Sequence, residues 1–531
     1  MTSRLSDPRV AACIPRQDLL FTIPSRTGLN GVPTSDETER TAVANGVSRR
    51  RVLKAGATCL GAVLAPAAAW GQFPEGDALQ RWIEQSAVRI NAGPGEDWTA
   101  RDSERLIAAI GDARIVLLGE PSHGAGTAFT AKVRLIQLLH ERLGFDVLVW
   151  ESGIIDVERT EAGLRSGLDP VEAAQRGIFK IWSASVECRP LFAYARTSHS
   201  AVRPLSMAGF DMQVSAPGTP DYFAAELRAF VGTLNPISRN RAEALAEDVL
   251  NRFGLLFRYT DALAKKAGEL GRAGVRGAAQ DAAIQAWDQS EGDALRPEAE
   301  DLHRLEQAAA ALERLLRDGN DNGASTPAGR AGFMIRTIKS LAGYGVNLLE
   351  LTGKHLARDA GDYALTTENR RDRINADNLK WLIDTAYAGR KIIVWAHNVH
   401  VMNAWYGPGF DSVSLQPLPN GMKGTGVWLA GWYGDALYKI GFTAYRGSDG
   451  LVGAPPGPVP LAPSGSLEER LHRLGAPQVL LPLRGNSALP SLPAAPVSMR
   501  IPKYKLETVA NPAQPFDALY FIDTMKPATL I

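Results

Sequence analysis

The chain has 531 residues, 45% of them hydrophobic and 22% charged, and a formal net charge of +1. These are globular values, and the length suits two or three average domains or one large domain with insertions. A charge so near balance excludes nucleic acid or an anionic membrane surface as the main partner.

The first seventy residues read as something other than core. Residues 24–47 are rich in Pro, Gly, Thr, Ser and Glu and are expected to be disordered. Ser48-Arg49-Arg50-Arg51-Val52-Leu53-Lys54 then precedes an apolar stretch from Ala55 to Ala69. A basic segment, a short apolar region and the small residues Ala67-Ala68-Ala69 fit a secretory signal cleaved near Trp70. Its paired arginines resemble the twin-arginine class, whose export machinery is thereby an expected partner. The alternative is an N-terminal membrane anchor, but the apolar run is short and rich in Ala and Gly. The mature form is therefore expected without a stable membrane span, in the periplasm or secreted. Of the three cysteines, Cys13 and Cys59 fall in the leader, so a mature chain keeps Cys188 alone. Neither an internal disulfide nor a cysteine-based zinc site can then form.

The segment 70–531 is expected to be one α/β domain, with a mostly parallel central sheet flanked by helices. Residues 78–112 look helical. Arg114-Ile-Val-Leu-Leu-Gly119 reads as a buried parallel strand, followed by helix to Leu143 and a second strand, Phe145–Glu151. Connection rules place these two strands side by side. A third strand is expected at Pro204–Phe210 before Asp211, and a fourth at Lys391–Ala396 before His397. Between them, about 216–365, apolar residues at helical spacing with glycine-rich breaks near 267–276 and 318–329 predict a large helical insertion. Further strands are expected at Val427–Tyr433, Leu437–Thr443, Val479–Leu483 and Leu519–Ile522, and proline-rich loops at 451–464 and 486–496.

Ligands of open α/β sheets bind beyond the carboxyl ends of the strands, so titratable residues placed there are candidates for chemistry. Glu120 and His123 lie three apart in the first strand-to-helix turn. His123 could take a proton from water or bind a metal while Glu120 orients its ring; the plainer alternative is a capping histidine. Glu151 is costly at its strand end unless paired, and could equally be a structural ion pair. His397 and His400 are close enough to act on one ligand. Lys132, on the helix face of Ala128 and Leu135, and Arg371, within a charge run, are the cations that could bind substrate. Two motifs fail in this loop. Phe129 stands where a dinucleotide fingerprint needs its third glycine, and Ser122 is one residue off a hydrolase elbow.

These residues also resemble a family. Gly119-Glu120-Pro-Ser-His123-Gly, Lys132, Gly144-Phe145 and Glu151 look like the opening of the erythromycin esterase family. The likeness continues through Trp182, Glu187, Gly209-Phe-Asp211, Arg371-Asp372-x-x-Asn375-x-x-Asn378 and Trp395-Ala-His397-Asn398-x-His400. Gly421-Met-Lys-Gly-Thr-Gly, Tyr438-x-Ile-Gly441-Phe-Thr and Phe516-Asp-Ala-Leu also fit. The resemblance implies an α/β fold with a helical insertion and hydrolysis of an ester, in some members a macrolide lactone. It implies the histidine matching His123 as general base on water, without a metal. The residues matching Glu120, Glu151 and His397 would support that base, bind the oxyanion or orient the water. Macrolide-hydrolysing members carry an aromatic residue after the motif histidine, where this chain has Gly124.

The function expected is thus hydrolysis of a small-molecule carboxylic ester or lactone, with no cofactor, by His123, Glu120, Glu151, His397 and His400. Two alternatives stand beside it. A metal-dependent hydrolase could use the same His/Glu cluster around a divalent metal, and a periplasmic protein could hold haem or a small ligand through His397 or His400.

Overall fold

A computed structural model describes residues 78–531 apart from 94, 276–277, 298, 319–328, 358–359, 407–412, 415–421, 486–495 and 502–503. The expected leader and signal, with Cys13 and Cys59, lie outside the described residues. So do Gly421 and all but the last residue of the proline-rich stretch 486–496.

A nine-stranded sheet organises the chain. Its strands are β1 (Val88–Ile90), β2 (Ile115–Leu118), β3 (Phe145–Gly153), β4 (Ser206–Asp211), β5 (Lys391–Trp395), β6 (Leu437–Asp449), β7 (Gly457–Val459), β8 (Gln478–Pro482) and β9 (Ala518–Met525). Across the sheet they run β1, β8, β9, β6, β2, β5, β3, β4, with β7 added at the end of β6. The stretch from β9 to β4 is parallel throughout, while β1, β8 and β7 pair antiparallel. The sheet is mixed, mostly parallel and flanked by helices, as expected.

One neighbour relation departs from expectation. β5 lies between β2 and β3, so these two do not touch. Ile392, Ile393, Val394 and Trp395 are all buried, and a strand apolar on both faces belongs at the centre of the sheet, wherever it falls in the sequence. The register sets Leu118 beside Trp395 and Trp395 beside Trp150, which in turn pairs with Gly209. Leu118, Trp395, Trp150 and Gly209 therefore share one level near the carboxyl ends of four strands, and Glu120, Glu151, Asp211 and His397 lie one or two residues beyond it.

Other differences are local. The expected helical stretch 78–112 is two helices, Ala78–Ser86 and Ala100–Ile110, separated by β1. β7 interrupts the expected loop 451–464. Val427–Tyr433, expected as a strand, belongs to a helix, Thr425–Tyr433. A short run that is apolar all round carries no period to separate the two states. Here packing decides: Gly426 rests so closely on the Val401 backbone that a Cβ would lie 2.1 Å from its carbonyl oxygen. Strands expected around Leu437, Val479 and Leu519 are present as β6, β8 and β9.

Between β4 and β5 come the helices Thr219–Gly232, Pro236–Arg272, Ala278–Asp288, Ala299–Asp318, Arg330–Ala357 and Ala360–Trp381. The second starts where it must, with Asn235 capping the Ser238 N–H and Pro236 in the first turn. These helices share a core of their own, including Phe223, Phe253, Leu312 and Ile338. The last runs well past residue 365, crosses the end of β4 and carries Arg371 and Asp372. The sheet's two faces have separate cores, one around Trp150, Trp182 and Trp395 and one around Ile115, Val394 and Phe521.

The loop after β2 is tied down by a close approach. A Cβ on Gly124 would lie 2.3 Å from the carbonyl carbon of Gly450. Backbone rather than a flexible side chain is in the way, so Gly124→Ala should cost about 1–3 kcal/mol through overpacking. Urea denaturation measures this, and an unchanged midpoint would show that the two loops separate freely.

Candidate active site

Glu120 is the first centre. It is fully buried just beyond β2. Its Oε1 lies 2.8 Å from His123 Nδ1 and accepts the Trp182 indole N–H at 3.1 Å, while Oε2 accepts Lys132 Nζ at 2.8 Å. Lys132 also stands 3.9 Å from the Trp395 ring centroid and donates to the Ala396 carbonyl at 3.4 Å. Burial lowers the Lys132 ammonium to about 8, against the pull of Glu120. Held at Nδ1, His123 turns its Nε2 edge away from the carboxylate. Its side chain keeps 11% of its exposure.

Glu151 is the second centre. Its Oε1 takes Arg371 Nη2 at 2.9 Å and faces His400 Nε2 at 3.2 Å, and its Oε2 accepts the His397 backbone N–H at 2.7 Å. Arg371 also clamps Asp211 through Nη2 at 2.6 Å and Nε at 3.2 Å, and Asn375 adds a third hydrogen bond to that carboxylate. On its other side His400 Nδ1 lies 2.9 Å from Asp372 Oδ1, which also accepts the Thr425 N–H and hydroxyl. Burial disfavours the His400 imidazolium, but Asp372 and Glu151 outweigh it and raise the group to about 10. Burial likewise opposes the Glu151 carboxylate, yet His400, His123 and Arg371 hold it well below the ordinary range. His400 is thus a charged imidazolium between two carboxylates.

His397 behaves differently. Its Nδ1 accepts the Val399 N–H at 3.2 Å, capping the short helix Asn398–Val401, so its proton sits on Nε2 and points to the Pro121 carbonyl at 3.2 Å. Its ring is tilted against that of His123, with centroids 5.0 Å apart.

The structure brings Glu120, His123, Glu151, His397 and His400 into one network. His400 lies behind Glu151 rather than beside His123. Lys132 and Arg371, expected to bind substrate, are 0% and 3% exposed. Each is turned onto carboxylates, since buried acids at the strand ends demand cations. They position Glu120 and Glu151 instead. The charge run around Arg371 is no solvated face. Asp211, not among the expected site residues, is the second acid on Arg371.

Trp182, Asp372, Asn375 and Thr425 were not among the site residues expected. The polar spacing of Arg371, Asn375 and Asn378 puts all three on one helix face and is a signal that could have found this surface. Asn378 binds the Phe210 carbonyl at 3.0 Å, fixing the helix to β4. Nothing local marks Trp182. As for a metal, no group of three or more His, Cys, Asp or Glu among the described residues could hold an ion. The ring nitrogens and carboxylates of the expected cluster are instead turned on one another.

The family model described as erythromycin esterase matches residues 140–525. The chain belongs to the erythromycin esterase family. The matched segment includes Glu151, Arg371, His397 and His400, and Glu120 and His123 lie just before it. A putative hydrolase of Bacillus subtilis, YbfO, is 28% identical over 411 residues, covering 75% of this chain and 80% of that protein. Family and relative together support a hydrolase. Among solved structures, a Bacillus cereus protein matches with a TM-score of 0.61 at 17% identity, covering 85% of this chain and 98% of that one. A succinoglycan biosynthesis protein gives 0.60 at 16% identity, over 85% and 97%. A mutant erythromycin esterase, EreC, in its open conformation gives 0.52 at 17% identity, over 82% and 98%. At these identities the structures establish a shared fold. No helix among the described residues is long and apolar enough to cross a membrane.

Two outcomes follow for this esterase-family network. Arg371→Met strips two buried carboxylates of their cation and should cost about 3–5 kcal/mol in urea denaturation. A loss below about 1 kcal/mol, the scale of exposed pairs, would mean that Glu151 and Asp211 reach water. His400 titrates higher in the folded chain than its ordinary 6.5, so its contribution to stability is complete below pH 6.5 and fades as pH climbs to about 10. The melting temperature should fall across that window, and His400→Asn should flatten the fall. An equal slope in both proteins would place the alkaline loss elsewhere.

Proposed function

We propose that this chain hydrolyses a carboxylic ester or lactone with water, using His123 as general base. One observation carries the reading: of the network's titratable groups, His123 alone keeps access to solvent, at 11% of its side chain, while its Nδ1 is held by a buried glutamate. With Nδ1–H donated to Glu120, Nε2 carries the lone pair that takes a proton from water. The water oxygen bonds to the carbonyl carbon, whose π electrons move onto the carbonyl oxygen. Collapse of that intermediate breaks the bond to the leaving alkoxide, which takes the proton from His123 Nε2. Glu120 fixes the tautomer and faces the imidazolium as it forms, and Lys132 and Trp182 keep Glu120 in place. Glu151 holds the turn bearing His397 through its backbone N–H.

We place the reaction in the periplasm or outside the cell, on the strength of the twin-arginine-type segment before Trp70. The substrate class remains as broad as the site chemistry, so macrolides and simpler esters belong in one panel.

His123→Ala should lower turnover by about 10²-fold or more, the usual share of a general base, with an unchanged melting temperature. A variant retaining full activity across the panel refutes the assignment. Wild-type activity should also survive dialysis against EDTA. Activity lost there and restored by zinc or manganese would favour the metal-dependent reading.

A further inference from the structure

Glu187 is part of the family-like sequence pattern, yet the network around His123 gives it no task. It closes the short turn after Trp182, in which the Ser185 N–H donates to the Trp182 carbonyl at 3.1 Å and the Cys188 N–H to the Ser185 carbonyl at 3.2 Å. Its Oε2 takes the Ser185 hydroxyl at 2.5 Å, and its two oxygens receive the Thr529 N–H at 3.2 and 3.0 Å. A charged acceptor makes such hydrogen bonds stronger than a neutral one does.

Thr529 lies in segment 526–531, which follows β9 and crosses two turns of the site. On one side it pairs like a strand with the turn after Trp182. Ser185 bridges Leu530, the Val186 N–H donates to the Thr529 carbonyl at 2.9 Å, and the Ile531 N–H donates to the Ala184 carbonyl at 2.9 Å. On the other side it meets the turn that bears His123. The Ala528 N–H donates to the Gly124 carbonyl at 2.8 Å, the Thr127 N–H to the Lys526 carbonyl at 3.3 Å, and the Lys526 N–H to the Thr127 hydroxyl at 2.9 Å. A helix leaves its first N–H groups unsatisfied, and Ala125 has no polar side chain to cap the helix Gly126–Leu143. The Lys526 carbonyl takes one of those N–H groups instead. The approach is close, since a Cβ on Gly126 would lie 2.5 Å from the Pro527 carbonyl oxygen.

Spacing matters here because His123 Nδ1 and the Trp182 indole nitrogen share one oxygen, Glu120 Oε1, at 2.8 and 3.1 Å. The two rings stand edge to face with centroids 5.4 Å apart, and they come from turns far apart in sequence. Leu530 and Ile531 are 51% and 46% exposed, so the segment adds little to the core, and hydrogen bonds rather than burial hold it to both turns. We propose that segment 526–531 is a strap, clasped by Glu187, that fixes the distance between Trp182 and His123 on Glu120. Glu187 is then a positioning residue, acting on the base through the strap. Its role rests on His123 acting as base.

The test compares Glu187→Ala, Glu187→Gln, Thr127→Val and His123→Ala with the wild type, on an ester the wild type turns over. Turnover is read well below each melting temperature, where a contact that only stabilises leaves kcat unchanged. Misplacing a reacting group by about 1 Å can cost about 10²-fold, so Glu187→Ala should lower kcat by about 10-fold or more, with KM within about twofold. Glu187→Gln keeps an oxygen for the Thr529 N–H and should hold kcat within about twofold of the wild type. An equally slow Glu187→Gln would put the charge, not the clasp, in control and overturn the proposal. Thr127→Val frees the strap at its other end and should lower kcat in the same sense, which keeps the proposal testable if Glu187→Ala does not fold. If His123→Ala is inactive while Glu187→Ala and Thr127→Val keep the wild-type kcat, the positioning role fails and the base assignment stands. If His123→Ala stays fully active, both fail together. Failure of both strap variants to fold marks the segment as structural and overturns the proposal as well.

Discussion

Everything at this site depends on keeping two glutamates ionised where water does not reach. Glu120 and Glu151 sit just beyond one level of a sheet whose central strands are apolar on both faces, and each is almost wholly buried. An uncompensated carboxylate there would cost several kcal/mol or take up a proton. The fold answers with distant chain segments: Lys132 from the helix after β2, Trp182 from a short helix, Arg371 and Asp372 from the end of the helical segment, His400 from the turn after β5. Those pairings bind the helical segment to the sheet. They also settle a charge balance. The buried carboxylates Glu120, Glu151, Asp211 and Asp372 face the cations Lys132, Arg371 and His400. In the proposed reaction the proton taken up by His123 supplies the missing positive charge beside them.

The two glutamates hold their histidines differently. Glu120 touches His123 through a side-chain nitrogen and so acts on a ring with solvent access. Glu151 touches His397 through the backbone and His400 through an imidazolium locked by Asp372. The first arrangement leaves a ring with solvent access; the second holds one histidine by its backbone and the other between two carboxylates. The His-x-x-His pair at this strand end thus ties its turn to Glu151 and sets the His397 ring against His123.

Much of this was legible in the sequence because the sheet is parallel and buried. Short apolar, β-branched runs such as Ile115–Leu118 and Ile392–Trp395 fit internal strands, and their carboxyl ends deliver Glu120 and His397 to one level. What the sequence hid depends on distance. No local pattern says that β5 separates β2 from β3, or that Trp182 donates to Glu120, 62 residues away in sequence. Lys132 and Arg371 were recognisable as cations but not as buried ones, because burial is decided by the acids they meet. The run around Trp428 has no polar residue to set a period, so its helix is fixed by Gly426 against Val401 rather than by its own pattern.

The division of the chain has a consequence for specificity. The proposed base, its carboxylate and the supporting cations come from segments between Glu120 and His400, locked together by buried charge. The turn that bears His123 is met from another side by Gly450, just past β6, whose N–H donates to the Gly124 carbonyl at 3.3 Å. There the contact is backbone packing rather than a buried ion pair. A change in that region alters what can approach His123 without disturbing the charges that hold it. Gly124 is the hinge between the two sets, since any side chain there would push Gly450 off the His123 turn. In the proposed reaction, proton transfer would thus fall to a rigid, charge-paired interior, with the backbone contact of Gly124 and Gly450 outside it.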